Sequence, residues 1–212
     1  SKNGRYLVLS DGASTSTALS QGESEAYVIL VDIEACNANT DAAEAAEVCA
    51  PIQTAALSRG AMAGAPPISD DGTIYYWESG FDFANHLEKP DLFALKADGS
   101  QTSKQFANDY DWSSVMTVSE NHLIGTISAF TESDQLLLTN TLPATASHAL
   151  VLVDRETLET TWTAPLTDDS TSTLTLDRGG HLYVTLFGLL NIISTEQRPT
   201  LGLVKFKPVQ AK

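Results

Sequence analysis

The amino-acid sequence predicts an all-β chain, and within that class a β-propeller built of four-stranded antiparallel blades, about four of them in its 212 residues. Three observations lead there. Four segments open on a turn residue and then run apolar: Gly4-Arg5-Tyr6-Leu7-Val8, Gly72-Thr73-Ile74-Tyr75-Tyr76, Asn121-His122-Leu123-Ile124-Gly125 and Gly180-His181-Leu182-Tyr183-Val184, at offsets of 68, 49 and 59. Each is followed, after an insertion of variable length, by a second kind of strand: Val28-Ile29-Leu30-Val31-Asp32, Leu92-Phe93-Ala94-Leu95-Lys96, Leu150-Val151-Leu152-Val153-Asp154 and Leu201-Gly202-Leu203-Val204-Lys205, at offsets of 64, 58 and 51. A multi-strand unit recurring at roughly 50 to 60 residues marks a propeller or array rather than a sandwich.

The elements follow in order. Gly, Asn and Asp in the turns supply the positive backbone angles that hairpins demand. The second strands, at 28–31 and 150–153, are the most continuously apolar, as the buried middle strands of a unit should be. Ahead of three turns sits a short apolar stretch, at 65–69, 115–118 and 174–176, that supplies a first strand. After three of the second strands comes a further alternating stretch: Ser103-Lys104-Gln105-Phe106, Thr160-Thr161-Trp162, and, beyond the cysteine segment, Ile52-Gln53-Thr54-Ala55. The blades of this single segment are expected at about 1–57, 58–107, 108–166 and 167–212.

The sequence opens at the turn before the second strand of its first unit and closes shortly after the third strand of its fourth. A ring must close to leave no raw sheet edges. The expectation is therefore about half of a seven- or eight-bladed ring, its complementary blades supplied by a missing segment or a second chain. The alternative is a closed small propeller with weak end strands.

Asp71-Gly72-Thr73-Ile74-Tyr75, followed by Asp91-Leu92-Phe93-Ala94-Leu95-Lys96-Ala97-Asp98-Gly99, resembles the pyrroloquinoline-quinone-type repeat of β-propellers, in which a DGTIY strand precedes an LYALDADTG strand. The third unit is similar through Leu150-Val151-Leu152-Val153-Asp154-Arg155-Glu156-Thr157 and Trp162 in the outer strand. The first and fourth units match in outline, the fourth carrying Lys205-Phe206 where the Asp and turn would stand. The resemblance covers most of the chain as a pattern and implies a quinoprotein-like propeller. Quinone-dependent members need a coordinated metal, an Asp base and groups that stack on the cofactor, and none of these maps residue by residue onto this sequence.

Charge and cysteines bound the partners and the compartment. With 27 Asp and Glu against 12 Lys and Arg, the net charge of −15 repels a nucleic acid and an anionic membrane surface. The longest apolar candidate, 182–193, is broken by Thr185, Gly188 and Asn191, so no membrane insertion is expected. Cys36 and Cys49 bracket a polar segment in which Asp41 and Glu44 form a helix-start pair before an Ala-rich turn at 42–46. Two cysteines close in sequence are expected to form a disulfide, and with it to place the chain in the periplasm or outside the cell; the alternative is two unrelated buried thiols. Two thiols with no nearby His do not make a zinc site.

Most candidate chemistry has a structural explanation. Asp70, Asp71, Asp98 and Asp177 are expected to hydrogen-bond their own hairpin turns. Asn37, Asn39 and Asp41 alternate like a calcium loop, but Ala42 and Val48 stand where its Gly and Glu should be. Asp109, Asp111, Asp168 and Asp169 could donate oxygens to a hard cation, with a solvated turn as the alternative. His86, His122, His148 and His181 lack metal-pair spacing, and His122 and His181 share one repeat position. There is no Gly-x-Ser-x-Gly and no glycine-rich phosphate loop. The best binding candidate is the insertion at 79–89, with Phe81, Asp82, Phe83, Asn85 and His86; its counterparts at 10–26, 128–148 and 188–200 join the same pair of strands and are expected on one rim. The function expected is a non-catalytic extracytoplasmic binding or scaffold module, with no cofactor, that contacts a protein or saccharide. The alternative is part of a quinoprotein-like oxidoreductase, with calcium and a quinone.

Overall fold

The computed structural model describes residues 1–11, 26–38, 49–57, 66–78, 81–82, 86–87, 91–105, 112–113, 116–130, 146–166, 174–187 and 201–207. Their regular structure is antiparallel β-sheet with a single short helix, and the chain divides into two compact units, Ser1–Phe81 with Asp91–Gln105 and Asp82–Pro90 with Phe106–Lys212.

In the first unit, β1 (Tyr6–Asp11), β2 (Ala26–Asp32) and β3 (Gln53–Leu57) form one sheet in that order, with helix α1 (Ile33–Ala38) between β2 and β3. Tyr6 lies opposite Asp32 and Val8 opposite Leu30, so strict alternation puts Tyr6, Val8, Val28 and Leu30 on one face. Next along the chain come β4 (Ile74–Glu78), β5 (Phe81–Asp82), β6 (His86–Leu87) and β7 (Asp91–Leu95), of which β4 and β7 belong to the first unit while Asp82 and β6 fall in the second. With β8 (Gln101–Gln105), β4 and β7 make a second sheet in the order β4-β7-β8, while β5 and β6 pair by themselves. The core closes where Tyr6, Val28 and Leu30 meet Ile74, Tyr76 and Leu95. Tyr76 stacks on its cross-strand neighbour Phe93, ring centroids 5.1 Å apart. Tyr75 and Trp77, which alternate to the other face of β4, are buried as well, and this is why the strand reads Ile-Tyr-Tyr-Trp without a polar break.

Past Gln105 the second unit continues with two short strands, β9 (Trp112–Ser113) and β10 (Thr117–Val118), that both pair with β11 (His122–Phe130). β12 (Ala146–Asp154) and β13 (Thr160–Leu166) continue this sheet in the order β10-β11-β12-β13. Edge position suits β13, since Pro165 has no N–H to give an outer neighbour. Its register slips between Leu152 and Val153, and there the Thr161 hydroxyl donates to the Leu152 carbonyl at 3.2 Å. A last sheet takes β14 (Thr175–Leu176), β15 (Leu182–Phe187) and β16 (Leu201–Phe206) in that order. Leu174, Leu182, Val184 and Leu186 bury against Ile124 and Leu150.

The tight turns ahead of these sheets share one hydrogen bond. Gly4 donates its N–H to the Ser1 carbonyl at 3.2 Å, Gly72 to Ser69 at 3.1 Å and Gly180 to Asp177 at 3.0 Å. These glycines have φ of 78°, 84° and 75°, the left-handed region that L side chains enter at a cost. The turn before β11 is built differently and is one residue shorter: Ser119 donates its N–H to the His122 carbonyl at 2.8 Å, three residues on, where Ser69 and Asp177 reach Thr73 and His181 four residues on.

The helical turn expected at 42–46 lies outside the described residues. The helix that the structure does show begins earlier, directly at the end of β2, where Asp32 Oδ1 accepts the N–H groups of Glu34 at 3.0 Å and Ala35 at 3.4 Å. Cys36 of α1 is joined to Cys49 by a disulfide, with a Cα–Cα distance of 5.1 Å. Among the described residues no helix is long and apolar enough to cross a membrane.

Candidate functional site

The expected binding insertion contains a short hairpin. β5 carries Phe81 and Asp82, β6 carries His86, and the two strands pair with each other. Phe83 and Asn85 lie outside the described residues, as do most of the insertions at 10–26, 128–148 and 188–200. The possible cation donors Asp109, Asp111, Asp168 and Asp169 lie outside them too, together with Asn39 and Asp41 of the calcium-like pattern.

Most of the turn carboxylates are engaged within their own turns, whereas Asp70, expected to do the same, accepts from Asn3, 67 residues away. Asp71 Oδ1 accepts the Thr73 N–H at 3.0 Å and the Ser69 hydroxyl, and Asp70 Oδ1 accepts the Asn3 N–H at 2.8 Å. Asp98 Oδ1 takes the Ser100 N–H at 2.8 Å; the Ser100 side chain and then its N–H hold the Asp98 carboxyl below the usual range. Asp154, at the end of β12, accepts the N–H of Glu156 at 3.0 Å and of Thr157 at 2.8 Å, and the Thr157 N–H leads in lowering its carboxyl. Asp71, Asp98 and Asp154 thus accept hydrogen bonds from the turn in which each stands, which is what makes a hairpin end rigid.

Asp177 does more than close its turn. Its Oδ1 accepts the N–H groups of Gly179 at 2.8 Å and His181 at 2.9 Å, and its Oδ2 lies 3.0 Å from His181 Nδ1 and 3.2 Å from the Tyr183 hydroxyl, which donates to it. The His181 N–H is the largest cause of the lowered Asp177 carboxyl. Lys205 lies over the Tyr183 ring, 5.3 Å from its centroid. Chemically this arrangement orients one imidazole and braces one hairpin. The shared repeat position of His122 and His181 has a matching structural use: the Ser119 hydroxyl donates to the His122 carbonyl at 2.9 Å and accepts its N–H at 3.1 Å.

One charged contact escaped the sequence reading. Arg5 donates from Nε at 3.2 Å and from Nη2 at 2.9 Å to Asp32 Oδ2, whose other oxygen caps α1, so a single carboxylate ties β1 to the disulfide-bearing helix. Hydrogen bonding by Arg5 is the main reason that the Asp32 carboxyl is lowered, and Asp32 in turn raises Arg5. An Asp at a strand end with Glu34 two residues on is the signal that could have located this cap. Among the described residues no group of three or more His, Cys, Asp or Glu could hold a metal ion.

No protein-family model matches the chain, and no curated protein matches it. Among solved structures it is similar to the uncomplexed acylaminoacyl peptidase of Pyrococcus horikoshii, with a TM-score of 0.52 and 11% identity over 97% of this chain and 30% of that one. It is also similar to an acylaminoacyl peptidase in complex with Z-Gly-Gly-Phe-chloromethyl ketone, with a TM-score of 0.51 and 12% identity over 98% of this chain and 31% of that one. The chain thus spans about a third of the length of these proteins, and at such identity the likeness is one of fold alone.

Proposed function

We propose that the chain is a segment of an extracytoplasmic β-propeller of the pyrroloquinoline-quinone-repeat-like superfamily, acting as a non-catalytic binding or scaffold module. It contacts a protein or a saccharide through the loops that join the two long strands of each sheet, the insertion with Phe81, Asp82, Phe83, Asn85 and His86 foremost. The observation that carries this reading is the succession of small antiparallel sheets, each falling within one of the ranges 1–57, 58–107, 108–166 and 167–212. The shared glycine-turn hydrogen bond adds support, because equivalent turns are what a repeated blade would reuse. Further blades, from a second chain or a longer one, stack on the segment. In favour of that stacking, the face of the first sheet turned away from its core is apolar too, with Leu7 opposite Val31 and Leu9 opposite Ile29, where a solvated face would be polar. The disulfide favours an oxidising compartment.

The test is a panel of immobilised oligosaccharides and displayed peptides, probed with the native chain and with a Phe81→Ala/His86→Ala variant that melts at the native temperature. The native chain is expected to retain at least one ligand that the variant holds about tenfold or more weakly, a loss of about 1.4 kcal/mol. Equal retention by both would overturn the loop assignment. A quinone absorption band with calcium-dependent dye reduction would overturn the non-catalytic reading.

A further inference from the structure

We draw no further inference here: the strongest candidate, the apolar outer face of the first sheet on which Leu7 and Leu9 are 44% and 48% exposed, carries nothing beyond the stacking already proposed, because nothing in the structure shows what covers it.

Discussion

Replacing Cys36 and Cys49 together by serine removes one covalent link and leaves the neighbouring sheet its own hydrogen bonds. Leu30 still pairs with Gln53, and the Ile52 N–H still donates to the Leu30 carbonyl at 2.8 Å. The loss therefore falls chiefly on the unfolded chain, which regains the freedom that closure across a separation of 13 residues takes away. The chain-entropy relation assigns such a loop about 10 cal/mol/K, or about 3 kcal/mol at 25 °C. In a chain of this length that lowers the melting temperature by about 6–12 °C, and by more if the first unit melts alone. Calorimetry on the oxidised protein, the reduced protein and the double variant would read the shift, with intact mass confirming the two hydrogens that oxidation removes. Cys49 is exposed and Cys36 half-buried, so reductant can reach the bond without unfolding the sheet. The reduced protein and the variant should melt together, both below the oxidised form. A variant melting within about 1 °C of the oxidised native protein would refute the reasoning, since a loop of this size cannot be closed at so small an effect on the unfolded state.

Other perturbations separate core, turn and charge. Leu30→Ala, at a side chain 0% exposed among Tyr6, Val28 and Ile74, should cost about 2–5 kcal/mol in urea unfolding. Leu203→Ala, at a side chain 66% exposed, should stay within about 0.5 kcal/mol, and equal costs would sink the assignment of the core. Gly72→Ala and Gly4→Ala share a positive φ, but an added Cβ at Gly72 would sit 3.1 Å from the Tyr6 ring and 3.2 Å from Ala97 Cβ, whereas at Gly4 it meets nothing within 4 Å. Both should lose about 1–2 kcal/mol of conformational preference, with an added loss at Gly72 alone; matching losses would show that the Tyr6 contact does not matter. Asp32, Asp98, Asp154 and Asp177 are held below the usual carboxylate range, Asp32 chiefly by Arg5. A carboxyl lowered by folding stabilises above its unfolded value, and that contribution drains away as the pH falls through the folded value. Stability should therefore fall below about pH 4, and Asp32→Asn should flatten part of the fall; an unchanged unfolding free energy down to about pH 2 would contradict it.

Legibility in the sequence followed range along the chain. Gly72 and Gly180 announced their turns because a positive φ is written in a single residue. The long strands were visible in their apolar centres, yet β12 starts at Ala146 and β11 runs to Phe130, beyond the apolar runs, because ladder pairing carries a strand through polar residues such as Ser128 and Ser147. β9, only Trp112 and Ser113, has too little alternation to show a period. Helix α1 was hidden because Asp32 ends a strand and caps a helix at once, and propensity pointed instead to the Ala-rich stretch at 42–46. The Arg5–Asp32 pair joins residues 27 apart and follows from the Tyr6–Asp32 register, which no local pattern encodes. Within the candidate site, spacing alone could not announce that the two-residue strands β5 and β6, which carry Phe81 and His86, pair with each other.

The tight turns show why the repeat is plain in glycines, which three of the four share, and faint in polar residues. Each turn must supply an acceptor for an N–H just beyond its bend. In the first, Ser1 Oγ accepts from Tyr6 at 2.9 Å; in the second, Asp71 Oδ1 accepts from Thr73 at 3.0 Å. In the third, Ser119 Oγ accepts from His122 at 3.1 Å; in the fourth, Asp177 Oδ1 accepts from His181 at 2.9 Å. A hydroxyl and a carboxylate meet the same demand, so either serine or aspartate serves, whereas the positive φ of Gly4, Gly72 and Gly180 admits few other residues. Part of the charge of −15 is then incidental to any ligand: Asp71 and Asp177 are acidic because an acceptor was required, and Ser119 meets that requirement without charge. The insertions between the long strands, at 10–26, 79–89, 128–148 and 188–200, carry no such shared demand in the sequence, and their lengths and side chains differ from unit to unit.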